Sequence, residues 1–407
     1  MTAPSSVPSF GSAPTEVRLF VPHGDSDGVD PEISIVVPAL NEQITIAEFV
    51  DWCREGLAKA GVSGEILIVD SSSDGTPEIA LSRGARVLRT PRRGLGRAYI
   101  DALPYIRGKF IVMGDCDLTY DFRALKDFVD CYHEGFEFVM GSRFKGSIEP
   151  AAMPPLHRYF GTPLTTWILN SIYHSRFTDI HCGMRGITKS ALERIDLQSQ
   201  SWEYASEMVL KATRLGLRIA EVPVHFYKDR EGRLSHHKRA GFWSPWAAGW
   251  INLKVMLVYT PDSFLLKPGL AMFLVGAALC VSLSRGGYRI GEIGFDLHWM
   301  LLGLTLAVLG YGSVQIGVLA RLSHGLRSGM EKSVSEALTY DRGMILAAAL
   351  TVPGALLAGS LAWQYVSGGL KLLQISHTGV FGLFLIVIGF QTFGFTLLIE
   401  MMRRMSK

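Results

Sequence analysis

The sequence is short of charge and of cysteine. Only 19% of its 407 residues are charged, whereas average soluble domains carry roughly 25%. The cysteines are odd in number and none has CxxC spacing, which excludes a disulfide framework, argues against a zinc site and fits a reducing compartment. They are Cys53, Cys116, Cys131, Cys182 and Cys280. The composition also excludes collagen and wholesale disorder.

The charge deficit is confined to one part of the chain. Residues 264–407 carry 17 charged side chains, and residues 1–263 carry 60. The first part has a net charge of −2 and the second of +5. The overall +3 therefore does not form the basic surface that a nucleic-acid partner would need. We expect a soluble domain followed by a region in a different solvent.

The first part predicts an α/β domain over residues 31–240. Residues 1–30 are rich in Pro, Ser, Gly and Asp without an apolar period, and we predict a disordered leader that is not a signal peptide. Short apolar runs then alternate with helical stretches. The predicted strands are 33–38, 65–70, 85–88 and 110–113, and the predicted helices are 43–60, 76–83 and 95–106. This alternation predicts a Rossmann-like, mostly parallel sheet that binds ligands at the carboxyl ends of its strands.

The second part predicts an all-α transmembrane region over residues 264–407. Four apolar segments approach the ~20 residues that cross a bilayer. They span about 268–284, 297–320, 344–366 and 379–402. Four such runs in one region argue against the alternative, the buried core helices of a soluble protein. Lys and Arg concentrate in the loop 321–343 and in the C-terminal tail, which predicts that both termini and the soluble domain are on the cytoplasmic side of the cell membrane.

Two stretches have patterns typical of the bilayer surface. Over 241–263, Trp243, Trp246 and Trp250 fall on one helical face, which predicts an interfacial amphipathic helix. A core-packing face is the alternative. The stretch 156–177 mixes aromatic side chains with cations, and its pattern suits either an amphipathic helix on the bilayer or a packed helix.

The strongest chemical signal is a pair of aspartates after the predicted strand 110–113. Asp115 and Asp117 stand at i and i+2 of extended chain, so both side chains point the same way. Their carboxylates suit Mg²⁺ or Mn²⁺, which complete their shells with water and substrate phosphates. Cys116, between them, is predicted to face the other way and to pack without binding metal.

Polar residues also follow other strands of the predicted sheet. These residues are Asn41 and Glu42, in the segment that begins with Pro38 at the end of the first strand, and Asp70 at the end of the second. Such groups can accept hydrogen bonds from a nucleobase and a ribose, although Asn41 or Asp70 alone could equally cap a helix. Gly94 and Arg97, in the segment RRGLGR, precede or open a helix where they could cradle a diphosphate.

An ordered series of motifs runs along the chain from about residue 33. The series is VPALNE (37–42), IVDSSSDGT (68–76), RRGLGRAY (92–99), GDCDLTYDF (114–122), VMGSRF (139–144), DIHCGMRG (179–186), WEYASEM (202–208), EVPVHF (221–226) and DREGRLSHHK (229–238). It resembles family 2 glycosyltransferases, and more closely their polyprenyl-phosphate branch of dolichol-phosphate mannose and glucose synthases. The resemblance implies a GT-A fold and an inverting hexose transfer from a nucleotide sugar to a polyprenyl phosphate. UDP-glucose and GDP-mannose are the leading donors, and UDP-N-acetylhexosamines stay open.

The resemblance also implies roles for individual residues. Asp70 and Glu42 would hold the nucleoside, and Asp115 and Asp117 would hold the metal ion that bridges the diphosphate. The remaining implied site residues are Arg143, which would contact phosphate, Arg230 and Lys238 on a loop that closes over donor and acceptor, and Asp179 and Glu207 in the cleft. The implied catalytic residues are Asp117, Arg143 and Arg230.

The sequence departs from the family pattern at two places. Ser71 stands where a second acidic residue is usual, and the segment 232–238 is longer than the usual Gly-x-Ser-Lys. The first departure weakens one nucleoside contact and the second weakens the assignment of Lys238. A lipid phosphate is already anionic near pH 7, so positioning can replace proton abstraction. We therefore predict that Glu207 is not an essential base.

Two other functions compete with this one. A processive polysaccharide synthase carries a QxxRW motif, which this sequence lacks. A lipid-sugar translocator or assembly partner with a non-catalytic transferase domain would need functional ionisable groups inside its spans. Among Asp, Glu, Lys and Arg, the four segments contain only Glu400, near the end of the last one. Anchoring in the lipid bilayer is therefore favoured, and the sequence is compatible with a homo-oligomer.

Overall fold

The chain folds into two compact units, Met1–Met256 and Leu257–Lys407. The structure, a computed structural model, describes residues 10, 13–22, 30–173, 175–230, 254, 257, 260–323, 339–368 and 376–405. The first unit is α/β and the second is mainly helical, as the pattern of apolar runs predicts. Lys238 and most of the predicted interfacial helix 241–263 lie outside the described residues, so both stay predictions.

The first unit is built on one sheet, which has eight strands among the described residues. In chain order they are β1 (Arg18–Phe20), β2 (Ile33–Ala39), β3 (Gly64–Asp70), β4 (Arg86–Arg89), β5 (Phe110–Met113), β6 (Phe138–Ile148), β7 (Arg185–Thr188) and β8 (Ile219–Phe226). Across the sheet the order is β1-β4-β3-β2-β5-β7-β6-β8. β1 and β7 run antiparallel to their neighbours, while β2 pairs in parallel with both β3 and β5. The sheet is therefore mostly parallel, as predicted.

The predicted strands match β2, β3, β4 and β5 to within one residue. β2, β3 and β5 are central and almost fully buried, which explains their continuous apolar runs, because both faces of a parallel sheet are covered. In the described part of this unit the α-helices are α1 (Ile46–Ala60), α2 (Thr76–Ser82), α3 (Leu95–Ala102), α4 (Lys126–His133), α5 (Thr162–Tyr173), α6 (Lys189–Ile195) and α7 (Tyr204–Arg214). α3 ends earlier than predicted because Pro104 follows it and cannot donate an N–H; Leu103–Tyr105 form a 3₁₀ turn.

The prediction of a disordered leader over residues 1–30 is wrong for residues 18–20. They form β1, which pairs antiparallel with β4 through Arg18↔Arg89 and Phe20↔Val87. A strand of three residues is too short to show a period in the sequence. Its stability comes from a partner far along the chain, the outer edge of β4, which β1 covers.

The second unit contains, among its described residues, four helices long and apolar enough to cross a membrane. They are α8 (Lys267–Ser282) with the preceding π-helical turn (Asp262–Leu266), α9 (Leu297–Ser323), α10 (Tyr340–Ser367) and α11 (His377–Met405). Each coincides with a predicted segment. A two-stranded hairpin, β9 (Tyr288–Ile290) and β10 (Ile293–Phe295), connects α8 to α9.

The stretch 156–177 is largely helical and has two different faces. A π-helical turn (His157–Gly161) leads into α5. The buried side chains of α5 are Thr162, Thr166 and Leu169. The exposed side chains are large and aromatic: Tyr159 is 74% exposed, Phe160 61% and Trp167 65%. This pattern fits an amphipathic helix, and its contact with a bilayer stays a prediction.

Candidate active site

Three groups of predicted residues lie at one edge of the sheet. Ala39, at the end of β2, is the register partner of Asp70 at the end of β3. β5 pairs in parallel with β2 on its other side. The chain therefore leaves these three strands in the same direction, and residues 40–42, Asp70 and the loop 114–118 share the carboxyl edge, where open α/β sheets bind ligands.

Asp70 is completely buried at this edge, and only one of its two carboxylate oxygens accepts hydrogen bonds from the described residues. Its Oδ2 accepts hydrogen bonds from Arg89 Nη1 (2.5 Å) and from Ser72 N (3.2 Å). Its Oδ1 is also buried and accepts no hydrogen bond in the described structure. Burial raises the pKa of Asp70, against the hydrogen bonds from Ser72 and the charge of Arg89. A buried acceptor atom without a donor is costly, so a hydrogen-bond donor from a ligand would stabilise Oδ1.

Asn41 and Glu42 connect β2 to the turn that follows β3. The Asn41 backbone has a φ of +56°; its N–H donates to Ser72 Oγ (2.7 Å), and its Oδ1 accepts from Ser73 N (3.0 Å). Glu42 is 5% exposed, and its backbone N–H donates to Thr76 Oγ1 (2.9 Å). Both residues therefore fix the geometry of this edge, whatever contact they make with a nucleoside.

The acidic loop after β5 presents two half-buried aspartates. Asp117 Oδ1 accepts hydrogen bonds from Thr119 N (3.0 Å) and Thr119 Oγ1 (2.5 Å), which fix its side chain. Cys116 is 3% exposed, and its Sγ donates to Pro38 O (3.5 Å). Cys116 thus packs toward β2, as the alternation along the extended chain predicts.

Asp115 lies against a glycine. A Cβ atom at Gly183 would lie 2.8 Å from Asp115 Oδ2, so a larger residue at position 183 would crowd the carboxylate. No group of three or more His, Cys, Asp or Glu side chains that could hold a metal ion occurs in the described part of the chain. Mg²⁺ and Mn²⁺ need only one or two protein carboxylates when substrate phosphates and water complete the shell. The residues present at Asp115 and Asp117 therefore fit such an ion.

Arg143 and Asp179 form a buried bidentate pair. Arg143 Nε and Nη2 donate to Asp179 Oδ2 (2.7 Å) and Oδ1 (2.8 Å), and Asp179 is fully buried. Asp179 is fixed in turn by Glu221, whose Oε1 accepts from Thr178 N (2.7 Å) and Asp179 N (3.2 Å). Nη1 of Arg143 makes no hydrogen bond to the residues that the structure describes. This remaining donor suits a phosphate oxygen.

The turn at Gly94 packs against the loop 198–201. Gly94 has a φ of +112°, and a Cβ atom there would lie 2.2 Å from Gln200 O, so both its backbone conformation and its contact require glycine. Arg97 N donates to the same Gln200 O (3.0 Å), and the Arg97 guanidinium pairs with Asp101 (2.8 Å). Contact of Gly94 and Arg97 with a diphosphate stays a prediction.

Glu207 holds that loop in place. It is fully buried, and its carboxylate accepts from Gln198 N (3.0 Å) and Ser199 N (2.8 Å) and pairs with Lys211 Nζ (2.6 Å). Burial acts to raise its pKa, but the hydrogen bonds from Lys211, Ser199 and Gln198 outweigh burial and keep the pKa of Glu207 below its usual value. A carboxylate with these partners supports the loop and is a poor proton acceptor.

Replacing Glu207 by Gln should therefore lower kcat by about tenfold at most, since the amide keeps one acceptor oxygen for the loop but loses the ion pair. Lys211→Gln breaks the same ion pair from the other side and should give a similar loss. Steady-state rates of both variants test this expectation. A loss in Glu207→Gln of the order of a thousandfold, with Lys211→Gln near wild type, would instead identify Glu207 as a base.

Arg230 lies at an open cavity of about 540 Å³. The cavity is lined by Ile44, Glu48, Leu118, Lys228, Asp229 and Arg230, and Arg230 pairs with Glu48. Leu118 directly follows the acidic pair, so this cavity adjoins the carboxyl edge. Another cavity, of about 280 Å³, is lined by Gly64, Glu65 and Arg86, at the amino ends of β3 and β4 and away from this chemistry.

His181 links α5 to the Arg143–Asp179 pair. Its backbone N–H donates to Asp179 Oδ1 (3.3 Å), and its Nε2 lies 2.8 Å from Thr165 Oγ1. The Thr165 hydroxyl donates to Gly161 O (2.8 Å), so it can accept a hydrogen bond from Nε2–H of a neutral ring. Burial lowers the pKa of His181 to about 4, which keeps the ring neutral at physiological pH.

This histidine should make the protein less stable in mild acid. The unfolded chain takes up a proton at this ring near pH 6.5 and the folded chain only near pH 4. Stability present above pH 6.5 is therefore lost as the pH falls, by about 2 kcal/mol at pH 5. His181→Gln should lose less stability than wild type between pH 7 and pH 5, measured as the unfolding midpoint of the detergent-solubilised chain. Equal losses in wild type and His181→Gln would contradict this role.

Three residues of this region were given no role in the sequence analysis. Arg89 is the register partner of Asp70 on the neighbouring strand, Glu221 holds Asp179, and Arg185 is fully buried with its guanidinium donating to Cys182 O (2.6 Å) and Ala205 O (3.0 Å). The signal in the sequence that could have identified them is a charged residue within or beside an apolar stretch. A charge on a buried strand needs a partner, but the sequence does not tell which partner.

Comparisons with known proteins bear on this arrangement. Residues 34–196 match the family model described as glycosyl transferase family 2, and residues 318–403 match the one described as the glycosyltransferase family 2 C-terminal transmembrane region. The low-salt glycan biosynthesis hexosyltransferase Agl6 of Haloferax volcanii is 34% identical over 372 residues, which cover 90% of this chain and 88% of that protein. The chain belongs to glycosyltransferase family 2. It is a membrane glycosyltransferase with a GT-A-like sheet.

Two further comparisons place this family 2 glycosyltransferase among its relatives. The dolichyl-phosphate hexose transferase of Haloferax volcanii is 29% identical over 216 residues, covering 52% of this chain and 89% of that protein. Glucosyl-3-phosphoglycerate synthase of Mycobacterium tuberculosis, solved with Mn²⁺, UDP and glucosyl-3-phosphoglycerate, is 22% identical over 56% of this chain and 80% of its own, with a TM-score of 0.43. The family models and the Agl6 relative confirm the expected family and enzyme class.

Proposed function

We propose that this glycosyltransferase moves a hexose, from UDP-glucose or GDP-mannose, to a polyprenyl phosphate with inversion at the sugar carbon. The observation that carries the proposal is the set of groups at the carboxyl edge. An acidic pair, a buried carboxylate oxygen without a donor and an arginine fork lie on or just after strands of one sheet, on a chain with four candidate membrane helices among its described residues. The dolichyl-phosphate hexose transferase among its relatives supports a lipid phosphate as the acceptor.

The donor end of the site is acidic and its groups suit a nucleotide. Asp70 Oδ1 would accept a hydrogen bond from the base or ribose, beside Asn41 and Glu42. Asp115 and Asp117 would hold Mg²⁺ or Mn²⁺ against the diphosphate. When bound, that ion stabilises the negative charge that develops on the leaving group. Arg143 would add a hydrogen-bond donor from its Nη1 at the same developing charge.

The transfer needs no general base in this site. An oxygen of the lipid phosphate attacks the anomeric carbon on the face opposite the diphosphate and forms the new C–O bond. The bond from the anomeric carbon to the diphosphate breaks, and its electron pair leaves with the diphosphate. The attacking phosphate is already an anion near pH 7, so the chain's task is to align the two substrates. Glu207, buried among three donors, takes no proton in this scheme.

The acceptor end of the site combines apolar and charged side chains. The cavity beside the acidic pair is lined by Ile44, Leu118, the cations Lys228 and Arg230 and the carboxylates Glu48 and Asp229. Apolar carbons suit the first isoprene units, and the cations suit the phosphate. The exposed aromatic side chains before and within α5 would lie on the bilayer surface, where such residues are favoured. We propose that this surface is the cytoplasmic one, from the Lys and Arg bias of the loops.

The test is an assay of the detergent-solubilised full chain with a short polyprenyl phosphate. Each reaction contains Mg²⁺ or Mn²⁺ and one donor from the set UDP-glucose, GDP-mannose and UDP-N-acetylglucosamine, and the product is extracted into organic solvent. We expect one donor to give a lipid-linked sugar, with the anomeric configuration inverted in its NMR spectrum. A metal-free reaction and the Asp117→Ala variant are the controls.

Three outcomes would contradict the proposal. If no donor gives a lipid-linked sugar, the assignment of a polyprenyl phosphate as the acceptor is wrong. If the configuration of the anomeric carbon is retained, direct inverting transfer is excluded. Movement of a preformed lipid-linked sugar across the membrane of proteoliposomes, without transfer in the assay, would instead indicate a lipid-sugar translocator.

Protease protection of the soluble domain in spheroplasts, with digestion in inverted vesicles, would agree with the proposed orientation, and the opposite pattern would overturn it.

A further inference from the structure

The N-terminal segment reaches the nucleoside edge of the sheet. We call Phe10 and residues 13–22 the strap. Within it, β1 runs along β4 with Arg18 opposite Arg89, and Arg89 is also the register partner of Asp70. The strap is therefore attached to the strand that supplies the partner of the buried carboxylate.

Phe10 is fixed at this position by two contacts. Its backbone N–H donates to Glu78 Oε1 on α2 (2.7 Å). Its ring meets the ring of Phe20, on β1, edge to face, with centroids 4.6 Å apart and planes at 80°. The first contact joins the Phe10 backbone to α2 and the second joins its ring to β1, so the residue is held at two points. Edge-to-face pairs of this kind stabilise beyond simple burial.

The Phe10 ring also contacts Arg89. The guanidinium carbon lies 5.3 Å from the ring centre, within the range of a cation–π interaction. The Arg89 side chain is only 5% exposed, so the interaction takes place with little water to screen it. The same guanidinium donates to Asp70 Oδ2 (2.5 Å) and to Ser72 O (3.1 Å). Ring, guanidinium and carboxylate thus form a continuous chain of contacts.

We propose that Phe10 is a positioning residue for the nucleoside. Its ring holds Arg89, Arg89 holds Asp70 Oδ2, and Oδ1 is thereby kept turned toward the base or ribose of the donor. The inference rests on the proposed function, since it takes Asp70 as a nucleoside contact. A strap that only covered the sheet edge would support folding and leave nucleotide affinity unchanged.

The experiment measures nucleotide affinity and turnover separately. UDP and GDP, each with Mn²⁺, are titrated calorimetrically into the detergent-solubilised full chain. The nucleotide that binds wild type should bind Phe10→Ala about fivefold more weakly, as expected for a desolvated cation–π contact. kcat at saturating donor should stay within twofold of wild type. Phe10→Trp, which keeps an aromatic face, should restore the affinity.

Matched variants separate this role from a loss of folding. Arg18→Ala changes a strap residue whose side chain is 72% exposed and should bind as wild type. Glu78→Ala removes the acceptor for the Phe10 N–H and should weaken binding like Phe10→Ala. The inference is overturned if Asp70→Asn weakens nucleotide binding while Phe10→Ala does not, or if Phe10→Ala lowers kcat at unchanged affinity. If neither nucleotide binds wild type, the donor site of the proposed function fails with it.

Discussion

Asp117→Ala should reduce kcat by at least about a thousandfold at saturating substrates. Asp117 is one of the two carboxylates of the loop 114–118 that we propose as metal ligands, so its replacement would remove half of the ligands that the protein would supply. Stabilisation of a leaving diphosphate by such an ion is worth several kcal/mol, and about 4 kcal/mol corresponds to a thousandfold in rate. Initial rates, together with Mn²⁺ binding followed by electron paramagnetic resonance, measure both effects.

The neighbouring position supplies the control for this variant. Cys116→Ala changes the side chain between the two aspartates, which packs toward Pro38, and should keep activity within about threefold of wild type. It should also leave Mn²⁺ binding unchanged. An Asp117→Ala enzyme that keeps more than a tenth of the wild-type rate, or binds Mn²⁺ as wild type does, would show that the acidic pair does not hold the ion.

Arg143→Lys should reduce kcat by about a hundredfold although the charge is conserved. Arg143 binds Asp179 through Nε and Nη2 and keeps Nη1 for a phosphate oxygen in the proposed scheme. A lysine has a single ammonium group and cannot contact Asp179 in this bidentate way and the phosphate at once. Loss of one preorganised donor at a developing negative charge costs about two to three orders of magnitude in rate. Rates at saturating donor and acceptor test this expectation.

The pairing with Asp179 allows a sharper version of the same test. Asp179→Asn keeps the shape of the acceptor but not its charge, so Arg143 should lose its orientation. If the two residues act as one clamp, the double variant should be scarcely slower than the slower single variant, because coupled sites are not additive. Additive losses would indicate separate roles, and a rate above half of wild type in Arg143→Lys would remove Arg143 from the reaction.

The sequence predicted those parts of the site that local chain geometry determines. The acidic pair, the Asn41–Glu42 segment and Asp70 all directly follow or end apolar strands, and parallel strands bring their carboxyl ends to one edge. The four candidate membrane helices could be predicted equally well from the sequence, since each is a single long apolar run. In all these cases the signal lies within about twenty consecutive residues.

The contacts that hold the site together were not predictable in this way. Arg89 meets Asp70 only because β3 and β4 pair in one particular register, and register depends on packing across the sheet. Arg143 and Asp179 are 36 positions apart, on different elements. β1 could not be recognised either, because three residues form a strand only when β4 is already beside them. Such features require the tertiary structure.

Glycines at the helix contacts of the second unit have a consequence for how it enters the bilayer. A Cβ atom at Gly276 would lie 2.3 Å from Ala307 N, and one at Gly354 would lie 2.8 Å from Gly382 O, so α8 fits closely on α9, and α10 on α11. In lipid there is no hydrophobic drive between helices, and close backbone approach takes its place. Each helical hairpin therefore has its own close backbone interface, which does not depend on the other hairpin, and the Tyr311–Thr392 hydrogen bond (2.8 Å) links the two hairpins.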